Sequence, residues 1–184
     1  MEEVGTLAGH LEHWHDFFIL AGTAAATMMG LLFVSLSLHI EVVVADRKAH
    51  LAVIAREAFA NFLVVLLLSL LMLSHTQSQR SMGVALLMIG AVRLAQFGLR
   101  TARSLGHDPR EPKPSRGYVV LRFVMPLLSY LLLALAGVLA LLGDPDGALG
   151  LATLSTILLI ADAARCAWDL LARVGRHAHP GAPS

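Results

Sequence analysis

Apolar runs of membrane-crossing length recur five times along the chain, at about 17–38, 58–74, 82–99, 118–142 and 148–171. Each approaches the about twenty residues that a helix needs to cross about 30 Å of hydrocarbon. Polar and charged residues collect between the runs, and the longest connection, 100–117, is basic and contains Pro109, Pro112 and Pro114, as an irregular surface loop would. The pattern predicts an all-α fold: a five-helix transmembrane bundle forming a single integral membrane domain over 1–184, with a carboxy-terminal tail at 174–184. Ahead of the first run, Leu7, Leu11, Trp14 and Phe18 share one helical face. That spacing predicts a short amino-terminal interfacial helix with Trp14 at headgroup depth, feeding directly into the first span. Pro126 is expected to bend the fourth span.

Composition agrees: 57% of the 184 residues are hydrophobic and 15% charged, with a mean hydropathy of +0.70. No connection between the runs can hold a nucleotide-binding fold, a hydrolase fold or a nucleic-acid module, so these classes are excluded and the principal partner is the lipid bilayer. Glu2, Glu3, Glu12 and Asp16, with no basic residue, precede the first run, which is the wrong leader for a cleavable signal, so the first span is expected to remain. The lone Cys166 lies in the last span and reads as a packing residue.

The net charge of +1 conceals an alternation. Arg47, Lys48 and Arg56 follow the first run, Arg80 alone follows the second, and Arg100, Arg103, Arg110, Lys113 and Arg116 follow the third. The next turn holds only Asp144 and Asp146, and the chain closes with Arg173 and Arg176. Five true crossings and the positive-inside rule place the amino terminus outside and the carboxy terminus in the cytoplasm.

A charge at the centre of a membrane helix costs about 2.5–3.5 kcal/mol on insertion scales, so charges inside the spans need partners or a purpose. In span three Arg93, Gln96, Arg100 and Arg103 fall on one helical face, and in span five Asp162, Arg165, Asp169 and Arg173 do the same. At 1.5 Å per residue Arg93 lies about 16 Å and Asp162 about 21 Å below the outer boundary. The common spacing predicts a buried charge network between spans three and five that pairs Arg93 with Asp162 and Arg100 with Asp169. Arg122 and Glu57 lie at similar depth and extend it. Three readings stand: structural pairing, a substrate or ion pathway, and arginines that snorkel to headgroups while Asp162 stays neutral. Span three lacks Arg at every third position, which argues against a voltage sensor.

Small residues supply a second feature. Gly22, Ala26 and Gly30 recur every four residues in span one, a ridge that permits close helix approach, with Thr23, Thr27, Ser35 and Ser37 beside it. The hydroxyls can bond within the membrane or line a wet path. Asn61 in the Leu-rich second span is expected to make one interhelical bond. His10, His13 and His15 form a candidate metal cluster, though HLEHWH matches no established ligand spacing, so no metal or cofactor is expected. No nucleophile, base and orienter share one depth, and there is no Gly-rich phosphate loop, so the reading is non-enzymatic.

The residues Trp14 to Phe18, then Gly22 to Thr27 and Gly30 to Val34, with Arg56, Glu57, Ala58, Asn61 and Phe62 and with Ala163 to Arg165 and Ala167 to Asp169, cover most of the chain. They resemble a family of small, largely uncharacterised bacterial five-span integral membrane proteins, some of them labelled modulator of a membrane-bound AAA protease. The resemblance implies a bacterial plasma-membrane location. Two functions follow. One is an oligomeric scaffold or regulatory subunit with a membrane protein partner; the other is a small oligomeric channel or proton-coupled carrier using the Thr23, Thr27 and Ser37 face with Arg93 and Asp162. Five spans do not divide into equal inverted repeats, which favours a homo-oligomer over a monomeric carrier.

Overall fold

The computed structural model describes residues 2–40, 50–74, 78–104 and 116–178, with side chains over 14–40, 51–74, 78–99 and 124–173. These residues form α1 (Glu2–Leu38), α2 (His50–Leu73), α3 (Gln79–Ser104), α4 (Arg116–Leu142) and α5 (Pro145–Ala178), with no strand among them. Each helix holds a stretch long and apolar enough to cross a membrane: Trp14–Leu38, Leu51–Leu73, Gln79–Leu99, Val124–Leu142 and Pro145–Arg173.

The helices overrun the apolar windows. Thus α2 starts at His50, upstream of the apolar run, and α3 continues to Ser104, so the first turn of the basic connection is helical. The remainder of that connection, 105–115, lies outside the described residues. The amino-terminal stretch and span one form one unbroken helix, and α5 extends through 174–178, within the expected tail. Pro126 is carried inside α4 without ending it.

The two helices most enclosed are α2 and α5, which pack on each other. α1 lies mainly against α2, α4 against α5, and α3 against α4 with a brief contact to α2. Spans three and five therefore share no packed interface. Large apolar side chains such as Leu20, Leu31, Phe33, Leu131 and Met88 face outward, where acyl chains solvate them, while Ala25, Ala58, Ala136, Ala152 and Ala163 are buried. Lipid gives apolar side chains no reason to hide, so close backbone packing takes over as the cohesive force.

The tightest seam joins α3 to α4. A methyl group placed on Gly137 would lie 2.5 Å from the Leu87 amide nitrogen, and one on Gly90 would lie 2.7 Å from the Ala134 nitrogen. The expected ridge of span one is used differently. Gly22 packs on Ser69 of α2, but Ala26 and Gly30 are exposed and Gly30 has open space beside it. The buried line of α1 is instead Phe18, Ala21, Ala25 and Leu32, because the larger side chains at 18 and 32 fill the groove against α2 and α5 and turn the ridge outward.

Between α4 and α5 the chain reverses in two residues. Gly143 takes a φ of +93°, and its N–H donates to Ala140 O while Asp144 N–H donates to Leu139 O, closing the end of α4. Asp144 Oδ1 then accepts from Gly147 N–H at 3.0 Å, with Pro145 in the first helical position, so one residue after the stop the next helix is capped. Gly137→Leu is expected to push α3 off α4 and lower stability by at least about 2 kcal/mol. Asp144→Ala should cost about 1 kcal/mol; thermal unfolding in detergent measures both.

Candidate functional site: a polar network across four helices

Asn61 is buried in α2 at 2% exposure, one helical turn beyond Glu57. Its Nδ2 donates to Asp162 Oδ2 of α5 at 2.8 Å. Its Oδ1 accepts from Arg93 Nη2 of α3 at 2.9 Å and from Tyr130 OH of α4 at 2.6 Å. One amide therefore joins four helices, using donor and acceptor ends for opposite charges.

Arg93 is held on several sides. Its Nε and Nη2 donate to Tyr130 OH at 3.0 and 2.8 Å, and its Cζ lies 4.9 Å from the Tyr130 ring centroid. Nη1 donates to Gln96 Oε1 at 3.3 Å, and Glu57 Oε2 stands 4.0 Å from Nη2. The Tyr130 hydroxyl thus gives its proton to Asn61 and uses its lone pairs for Arg93. On the far side, Arg165 Nη2 donates to Asp162 Oδ1 at 2.6 Å from the same helix and approaches Cys166 Sγ at 3.6 Å. Arg93 with Glu57 and Arg165 with Asp162 form two compensated pairs, so the cluster carries no net formal charge. One shell away, Ser155 Oγ donates to Ser129 O at 2.8 Å, joining α5 to α4.

The expected direct pair is thereby corrected. Arg93 and Asp162 belong to one network, but Asn61 stands between them, because α3 and α5 share no packed interface among the described residues and Asn61 of α2 reaches both. Gln96 contacts Arg93 from a position facing outward. Asp169 is half-buried, one turn beyond Arg165. The side chains of Arg100 and Arg122 lie outside the described residues, and with them the Arg100–Asp169 pair.

Thr23, Thr27 and Ser37 all face outward from α1. Thr27 Oγ1 donates to Thr23 O at 2.8 Å and Ser37 Oγ to Phe33 O at 2.9 Å, so both hydroxyls serve their own helix. They line no path inside a single chain. His10 and His13 fall outside the described side chains, and among the described residues no three His, Cys, Asp or Glu side chains come together to hold a metal ion.

Tyr130 escaped the sequence reading, and Asn61 was given too small a part. The available signal was compositional: each is an isolated hydrogen-bonding group in a Leu-rich span, at a depth close to that of Arg93 and Asp162. Space beside Arg93, bounded by Glu57, Gln96, Phe97, Pro126 and Tyr130, amounts to about 10 Å³, room for about one water. The arrangement can neutralise charge and fix helix positions, and the space that its described residues bound beside Arg93 is below substrate size. Compared with known proteins, the chain matches no family, no curated protein and no solved structure.

Asn61→Leu strips three charged or hydroxyl partners at once and is expected to cost about 3 kcal/mol or more. Tyr130→Phe, which removes the hydroxyl alone, should cost about 1–2 kcal/mol. A double-mutant cycle on thermal unfolding in detergent is expected to show the two losses to be non-additive.

Proposed function

We propose that the chain is a non-enzymatic multi-pass membrane protein that acts as an oligomeric scaffold or regulatory subunit. The observation that carries this reading is the Asn61 network: its two ion pairs are internally compensated, Asn61 bonds Asp162, Arg93 and Tyr130 across four helices, and the space beside Arg93 holds about one water. Such a cluster serves to lock α2, α3, α4 and α5 into one register. The outward face of α1, with Thr23, Ala26, Thr27 and Gly30 exposed, offers close approach to a second copy or another membrane protein. The alternation of basic connections supports an orientation with the amino terminus outside, and the resemblance implies a bacterial plasma membrane.

A channel or proton-coupled carrier is the second reading. What favours it is the same outward row of Thr23, Thr27 and Ser37, which would face a pore formed between copies. Asp162→Asn separates the two. For a scaffold, the variant loses thermal stability, by about 2–4 kcal/mol, and liposomes containing the wild-type or variant protein show background ion and proton flux. For a conductor, wild-type liposomes leak above background and the variant changes that flux while remaining folded. Native mass with Gly30→Leu tests the α1 face: the scaffold reading expects the assembly to dissociate with the monomer intact.

A further inference from the structure

Where α1 ends and α2 begins, the two helices leave a groove of about 280 Å³ on the outer wall of the bundle. Its floor is the buried pair Leu32 and Ala55, and its sides are the exposed rings of Phe33 and Phe59. Ala52, exposed and small, lines the end nearest the helix termini. The lining is almost wholly apolar apart from Arg56.

Arg56 differs from the arginines of the polar network. Arg93 and Arg165 have carboxylate partners, and Glu57 turns toward Arg93. Arg56 projects outward, and among the described residues it makes no hydrogen bond or ion pair. It lies five residues from the end of the Leu51–Leu73 span, roughly 8 Å from the membrane boundary at 1.5 Å per residue. A guanidinium on its flexible stem reaches the phosphate layer from that depth. Hydrocarbon shape below and an uncompensated cation at headgroup height are the two halves of one recognition problem.

We propose that this groove binds an anionic glycerophospholipid, an acyl chain lying between Phe33 and Phe59 and the phosphate bonded by Arg56. A planar guanidinium suits two phosphate oxygens at once, and its charge is complemented by a lipid of net negative charge but only partly by a zwitterionic one. A protein occupant would have to bury Arg56 and bring its own anion. A lipid supplies both parts from the surrounding bilayer.

The full chain carrying Trp14→Phe, Trp168→Phe and Phe59→Trp places the sole indole in the groove wall. It is reconstituted in phosphatidylcholine vesicles with increasing brominated phosphatidylglycerol or, separately, brominated phosphatidylcholine. The anionic lipid is expected to quench at about fivefold lower mole fraction, the preference that one basic residue near the surface confers. Arg56→Gln should bring the two curves together, and Arg80→Gln, an exposed arginine elsewhere, should leave them apart. Ala52→Leu, which fills the groove from an exposed position, should weaken quenching by both lipids. Equal quenching in the parent, a preference that survives Arg56→Gln, or no effect of Ala52→Leu would each overturn the proposal. An indole shielded from both lipids would overturn it too, showing the groove covered by protein.

Discussion

Hydrocarbon offers no hydrogen-bond partners, and the structure answers that constraint at Asn61. The two charges that most need compensation, Arg93 and Asp162, sit on helices that do not pack together. A side chain that joins them must donate to a carboxylate at one end and accept from a guanidinium at the other. An amide does this; a carboxylate would repel Asp162 and an aliphatic residue would serve neither. Asn61 is buried on α2, which packs against α5 and touches α3, so the bridging chemistry sits where the helix order requires it. Tyr130 completes the junction by giving a proton to the same acceptor that Arg93 uses.

The same absence of solvent competition explains the distribution of side-chain sizes. With large apolar residues content at the lipid surface, the interior is free to mix small and polar residues with larger ones such as Phe62, Leu68 and Leu133. Alanines, serines and glycines bring backbones close, nowhere more so than at Gly90 and Gly137. α3 is the least enclosed of the helices, and it is attached by two different means: the glycine seam against α4 and the polar tie through Arg93. Dispersion along the seam sets how near it lies, and the directional bonds set its rotation and height.

Much of this architecture was legible from residue order. Apolar run length gave the five helices, and helical spacing with depth put Arg93 and Asp162 at one level. Depth carries no information about which helix stands beside which, so the pairing was drawn directly across spans three and five and the intermediary was missed. The Gly22, Ala26, Gly30 ridge shows the same limit. A row of small residues says that close approach is possible on that face, whereas the bulk of Phe18 and Leu32 decides which face turns inward. Gly83, Gly90 and Gly137 offered an equally small signal, and only their position opposite one another makes it a seam. The turn at Gly143 to Pro145 was the converse case: its stop and start residues act locally, and local chemistry is written in consecutive letters.

The order of the network's members along the chain has a bearing on how the protein is made. Synthesis delivers helices one after another, and Glu57 and Asn61 emerge before Arg93, so a counter-ion and an acceptor are already in the bilayer when that guanidinium arrives. Tyr130 comes next and can join the existing pair. Asp162 is last, and it travels with Arg165 one turn behind it on the same helix. Of the cluster's charges only Glu57 precedes its partner's helix, so the polar heart of the bundle can close stepwise from the amino-terminal side.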